Sequence, residues 1–313
     1  MHIDRISNMK KLFVFAAGLL LSVAALAQTK DIEYNYSSFS KIAASNDFQV
    51  SLVTSGSDYK LSLQVEGAYA EYVVANVNNG TLEISLDEKG VPSEVKKAYK
   101  GKTPTFKAVV TMPVPPKEIN IKDKVVFDSV WPLELVDALN INASDNSVVK
   151  PMTVTGDLLY INLDKKASAE VVFKEGSKVS AVGSGNSKLN LNVQAKEVEV
   201  AVNASAETNL KCESESLDYT AKGTSKSAIN GSTYYAGFTV TGTANVNAIN
   251  LETPEANIAM NGLCSLSESA SEKVKLSVTG GANLSFNNNP TFEIENIKNS
   301  SVVRYAAKEK KEK

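Results

Sequence analysis

Histidine is missing from everything after the second residue: His2 is the only one in 313. Arginine is almost as scarce, with Arg5 and Arg304 alone, and Trp131 is the single tryptophan. These gaps exclude function classes. A histidine-based catalytic triad or acid–base pair cannot be built from such a chain, nor can a histidine metal cage. A nucleic-acid interface needs a concentrated basic face, and lysines and arginines here number 33 against 35 acids. No nucleic-acid partner is expected, and no cofactor or metal.

Long apolar runs are also scarce, with one exception at the start. Met9-Lys10-Lys11 precedes LFVFAAGLLLSVAALA, and Ala25-Leu26-Ala27 stands before Gln28. A short basic segment, an apolar stretch and small residues at a cleavage point are the three parts of a secretory signal. The run is shorter than the ~20 residues that a membrane span requires. Residues 1–27 are therefore expected to be a cleaved signal, with 1–8 as an upstream extension. The exported chain would carry 30 cations against 34 anions and no transmembrane segment, and would reside in the periplasm or at the cell surface.

Alternation is what the chain has in abundance. LNINA at Leu139, LYINL at Leu159, VSAVG at Val179, VEVAV at Val198, LDYTA at Leu217, FTVTG at Phe238, ANIAM at Ala256 and VKLSV at Val274 recur every 18–21 residues. EINIK at Ile119 adds one earlier unit. Period-2 alternation marks a strand with one buried face. Six residues into each unit the column reads Asp145, Lys165, Gly185, Ala204, Gly223, Ala244, Gly262 and Gly280, small residues suited to a tight corner. A second short strand follows, as in KLNLNV and ANLSFN. A repeat of this length, unable to bury its apolar face alone, predicts stacked coils: an all-β parallel solenoid with glycine-rich corners.

The repeat settles two smaller questions. Gly183-Ser184-Gly185 resembles a phosphate loop in isolation, but no helix follows to supply the anion site; it is one corner of the column. Cys212 and Cys264, the only cysteines, fall three coils apart, about 14 Å along the axis at ~4.8 Å per strand. A disulfide needs Cα atoms within about 7 Å, so both are expected to be unpaired, buried thiols.

The remaining segments are organised around that core. Residues 31–118 are expected to form looser opening coils and a cap, with Asn78-Asn79-Gly80 at a hairpin-type turn; EYVVANVNN fits a helix or a strand. GVPSEVKKAYKGKTP, between Gly90 and Pro104, reads as a solvated insertion, with a contact loop as the sharper alternative. Regular coils are expected over 119–291, a C-terminal cap using Phe292, Ile294, Ile297 and Val302-Val303 over 292–304, and a solvated tail over 305–313. The whole of 28–304 is expected to be a single domain.

FSKIAASNDFQVSLV at Phe39, GTLEISL at Gly80 and the coils around Gly183-Ser184-Gly185 resemble the auto-transporter adhesin head GIN domain family, exported proteins of Bacteroidota long classed as a domain of unknown function. That resemblance implies a right-handed parallel β-helix with glycine turns between two sheets, and an adhesive role. It supplies no catalytic residues to carry over.

Three functions are compatible with these residues. The first is a non-catalytic binding or adhesin-like module that contacts a glycan or protein through a flat face rich in Ser, Thr and Asn. The second is a structural or assembly part of the envelope, homo-oligomeric through such a face. The third is a polysaccharide-active β-helix enzyme, for which Asp145, Asp157 and Asp164 are the best local carboxylates. The aspartates do not stack, since that column reads Ser144, Asp164, Ser184, Asn203, Lys222, Thr243, Asn261 and Thr279. Trp131 is expected at a corner or cap rather than as a sugar platform. The ligand-binding residues are not legible from the sequence.

Overall fold

The computed structural model describes residues 28–304; the expected signal, 1–27, and the tail, 305–313, lie outside them. The described chain is a β-solenoid of about ten turns. Strands from successive coils pair in parallel, as in Ala138–Ala143 on Leu158–Leu163 and the latter on the second half of Ser168–Gly183. Corresponding strands on the opposite side pair likewise, from Gln49–Thr54 and Val126–Ser129 through Val148–Thr155 to Ser301–Arg304. Two parallel sheets thus enclose one core, with Ile141, Ile161, Ala181, Val200, Tyr219, Phe238, Ile258 and Leu276 stacked inside it in register.

One corner of each coil is sharp. Asn46, Asp123, Asp145, Lys165, Gly185, Ala204, Gly223, Gly242, Gly262 and Gly280 all take positive φ, between 57° and 115°. The residue after each of several of these donates its N–H to the carbonyl of the corner one coil below: Asn146 to Asp123 at 2.7 Å, Lys166 to Asp145 at 2.8 Å, Ser205 to Gly185 at 2.8 Å, Thr224 to Ala204 at 2.7 Å. Two residues past each corner comes an inward position where the chain bends most tightly. That column reads Phe48, Val125, Ser147, Ala167, Ser187, Ala206, Ser225, Ala244, Cys264 and Ala282, all buried. From Ser147 onward only small side chains fit.

The other bend of the coil is soft. Strands such as Lys188–Val202, Glu207–Ala221 and Lys226–Gly242 run from one sharp corner to the next. Small hydroxyls sit at the bend: Ser214 donates to Thr233 at 2.9 Å, and Thr233 and Thr253 donate to the carbonyls of Tyr235 and Glu255 at 3.0 Å.

Two registers differ from those expected. Leu217 pairs with Ala236, not Phe238, and Ile141, not Leu139, pairs with Ile119. The glycine at the sixth sharp corner after Asp123 is therefore Gly242, and Ala244 belongs to the buried small column. Both slips are by two residues, which keep every side chain on its correct face. Alternation alone cannot detect them.

The first third is threaded out of order. Lys41–Ala44 and Gln49–Thr54 form a coil that lies between the coil of Thr81–Leu86 and Phe106–Met112 on one side and that of Glu118–Ile121 and Val126–Ser129 on the other. Two antiparallel elements flank it: Thr29–Tyr36 on Tyr59–Glu66, and the hairpin of Val73–Asn78 and Thr81–Leu86, turned by Asn79 and Gly80 at φ 48° and 73°. EYVVANVNN is mostly strand. The segment from Gly90 to Pro104 is more than a solvated insertion. It carries the helix Ser93–Ala98 and buries Val91, while Tyr99 packs edge-on against Tyr69 at 5.3 Å and Tyr69 against Phe106 at 5.4 Å. It covers the N-terminal end of the core. At the other end, Thr291–Lys298 and Ser301–Arg304 add a coil in register rather than a cover; Phe292, Ile294 and Ile297 are 42%, 59% and 42% exposed.

The corner geometry yields a paired prediction. A Cβ on Gly185 would stand 2.8 Å from Lys165 Cα and carbonyl oxygen, so Gly185→Ala is expected to cost more than the ~1–2 kcal/mol of a left-handed alanine. Ala204→Gly relieves that conformation and is expected to stabilise by about 0.5 kcal/mol, after the entropy cost of glycine. Urea unfolding of both variants, with opposite shifts in midpoint, checks the corner.

Candidate functional site

Outward positions beside the sharp corner line up as strictly as the inward ones. On the first sheet the register Glu83, Ala43, Asn120, Asn142, Asn162, Val182 stacks three successive amides between Ala43 and Val182, with Glu83 at the outer end. Next to the corner, Ser85, Ser45, Lys122, Ser144, Asp164 and Ser184 form a parallel row along the same six coils. Because the chain turns just beyond these residues, the two rows enclose a concave trench of about 640 Å³. Six coils at ~4.8 Å give it a length of about 24 Å along the solenoid axis. The face is concave here, where a flat one was expected.

The trench is held by side-chain ladders. Lys41 pairs with Glu118 at 2.8 Å, and Asn120 donates to Glu118 at 3.0 Å. Asn142 then donates to Asn120 at 2.8 Å and Asn162 to Asn142 at 3.3 Å, so three amides point the same way in succession. The lysine and asparagine bonds hold the Glu118 carboxyl below its ordinary value. The donors run toward Glu118, which leaves the carbonyl end of the ladder at Asn162, facing the coil of Val182. Mixed amide, hydroxyl and charged rims around a floor of small side chains can hydrogen-bond a polar chain lying lengthwise. They offer no activated nucleophile.

Of the three aspartates, Asp145 and Asp164 sit on adjoining coils beside Lys165, and Asp157 is apart from both. Asp164 lines the trench. Asp145 sits in the left-handed corner itself and is bonded to Lys165 at 2.5 Å, which lowers its pKa. Asp157 precedes the strand Leu158–Leu163 while Asp164 follows it, a separation of roughly 20 Å at ~3.3 Å per residue. Among the described residues no group of three His, Cys, Asp or Glu side chains could hold a metal ion, and no helix is long and apolar enough to cross a membrane.

The remaining candidates are placed as follows. Cys212 and Cys264 are both free and fully buried. Burial pushes the Cys212 thiol up to about 11, and Cys264 occupies the small-residue column as a stand-in for serine or alanine. Trp131 lies 58% exposed just after Val126–Ser129, its carbonyl accepting from the Ser129 hydroxyl at 2.8 Å. It stands at a coil connection, outside the trench.

The family model described as "Putative auto-transporter adhesin, head GIN domain" matches residues 38–154 and again residues 137–290. The chain belongs to the head GIN adhesin family. That the model fits twice, with overlap, follows from the repeat itself, since shifting by whole coils restores the same columns. Among solved structures, one described as a putative adhesin from Parabacteroides merdae is 14% identical, covering 89% of this chain and 97% of that one at a TM-score of 0.46. A putative adhesin from Parabacteroides distasonis is also 14% identical over 89% and 98% at 0.46. A protein described as a putative lipid binding protein from the same species is 17% identical over 89% and 97% at 0.44. No curated protein matches.

One carboxyl that the sequence reading passed over lies in the core. Glu268 points inward between Leu266 and the register partner Phe286, with 1% of its surface exposed. One oxygen accepts the Ala270 N–H at 2.7 Å and the other has no hydrogen-bond partner. Burial raises its pKa from 4.5 to about 7. Between those values the folded protein keeps the proton and the unfolded chain gives it up. Stability is therefore expected to fall as pH rises from about 4.5 to 7, by on the order of 3 kcal/mol, and then to level off. Glu268→Gln should flatten that slope in denaturation curves measured across the window; an unchanged slope would assign it to other groups.

Proposed function

We propose that this head GIN family protein is an exported, non-catalytic, adhesin-like module that holds an extended partner, a glycan strand or a polypeptide, lengthwise in the trench over its first six coils. The observation that carries this reading is the trench: about 24 Å along which amide, hydroxyl and charged side chains line up in two rows. An extended ligand with a repeat near the coil spacing meets an asparagine at three successive levels, Asn120, Asn142 and Asn162, and affinity accumulates over many weak contacts. Asp145 is engaged by Lys165 and Asp157 lies at the other end of Leu158–Leu163 from Asp164, which weighs against hydrolysis through these three carboxylates. An assembly role in the envelope is the second reading, favoured by the exposed apolar side chains of the coil at 291–304.

The test fills the trench. Asn142→Trp puts a bulky ring at mid-length and breaks the amide ladder on both sides. Binding of the purified protein to glycan arrays and to immobilised envelope proteins is expected to weaken by about tenfold or more, with the circular dichroism spectrum unchanged. Binding that survives Asn142→Trp in a folded protein would place the ligand elsewhere.

A further inference from the structure

The two ends of the solenoid are finished differently. At the N-terminal end the inward side chains of the outermost coil are buried: Leu82 at 0%, Ile84 at 1%, Phe106 at 5%. Val91, Tyr69 and Tyr99 lie over that end, and the flanking strands are antiparallel. At the C-terminal end the inward column stops among the described residues. Phe292, Ile294 and Ile297 continue the stacks of Val274, Leu276 and Val278, and they stand about half exposed beside the outer edge of Thr291–Lys298, which no other described strand covers. Leaving three large apolar side chains and a strand edge in water is unfavourable, and an uncovered edge is a template for another strand.

We propose that this C-terminal end is an interface between two copies of the chain, joined tail to tail about a two-fold axis. The sequence of the edge strand, TFEIENIK, is self-complementary in antiparallel pairing. With the axis between Ile294 and Glu295, Phe292 of one copy faces Ile297 of the other, Glu293 faces Asn296, Thr291 faces Lys298, and at the centre Ile294 lies opposite the bulged Glu295, which Lys275 holds on the outward side. No like charges are opposed. The pairing needs the irregularity that the strand has: a bulge between Ile294 and Asn296, opposite Leu276 and Ser277, brings both Phe292 and Ile297 to the inward face. Without it an odd-sum pairing would set an inward residue against an outward one. The outward acids are already held by Lys273–Glu293 at 2.9 Å and Lys275–Glu295 at 2.8 Å within each copy, so they do not meet the partner as bare charges. Bulges and charges at an edge normally prevent indiscriminate pairing; here they select one register. Because the opposite end is covered, the contact closes at two copies and does not propagate into a filament.

Sedimentation equilibrium of the purified protein tests this. A mass of two chains is expected, falling to one chain in Ile294→Lys with the circular dichroism spectrum retained. A second readout fixes the geometry. Glu295→Cys, beside the axis, is expected to give a disulfide-linked dimer under oxidation, whereas Glu88→Cys at the covered end gives none; the native thiols are buried. A wild-type protein that is monomeric at every concentration would overturn the proposal, as would a dimer unaffected by Ile294→Lys, an open series of larger assemblies, or equal cross-linking through Glu88→Cys.

Discussion

Every other feature of this molecule depends on the backbone hydrogen bond that stacks one left-handed corner on the next. From Asp123 to Gly242 the N–H after each corner reaches the carbonyl of the corner below, at 2.7–2.8 Å for Asn146, Lys166, Ser205 and Thr224. That contact brings main chain against main chain, so no side chain can intrude and the residue itself must accept positive φ. Glycine does so freely; aspartate and asparagine do so with little strain. The early coils use Asn46, Asp123 and Asp145, and the late coils use Gly223, Gly242, Gly262 and Gly280. Once the corners are superposed, the strands on either side have no freedom of register. Inward and outward columns follow.

Those columns join the fold to the proposed function. Inside, the tight bend admits only small residues at Ser147, Ala167, Ser187, Ala206, Ser225, Ala244, Cys264 and Ala282, which explains an isolated buried cysteine without invoking chemistry. Outside, the rows next to the corner line the trench, and the shared register sets Asn120, Asn142 and Asn162 within hydrogen-bond reach of one another. A solenoid gains stability coil by coil, so its problem is how to stop. The chain meets it at one end with Val91, Tyr99 and antiparallel strands, and at the other presents Phe292, Ile294 and Ile297.

The architecture was legible in the residues because period-2 alternation and an 18–21-residue repeat are both consequences of the corner. Three things were not legible, for different reasons. The register around Phe238 and Ile119 slipped by two, because a two-residue slip preserves the face of every side chain and only the corner bonds distinguish Gly242 from Ala244. The order of the first coils was hidden, because the coil at 41–54 is sandwiched between two later ones and nothing in its alternation records its neighbours in space. The trench was missed because its concavity comes from the direction in which the chain turns, while its residues read as ordinary solvated Ser and Asn. A signal was present in hindsight: Asn120, Asn142 and Asn162 recur at the coil spacing on the outward side. The burial of Glu268 was visible only as an acid at an apolar position of the alternation.

If stacked corners alone set the register, a whole coil is a removable part and a fraction of one is not. Gly183 and Val202 are register partners, so deleting residues 184–202 joins Gly183 to Asn203 with every column intact. Thermal unfolding of that variant, followed by circular dichroism, is the most direct measurement. A corner-stacked solenoid predicts a folded, cooperatively melting protein one coil shorter, whereas a control lacking only residues 184–193 would not fold. Equal loss of structure in both deletions would contradict it.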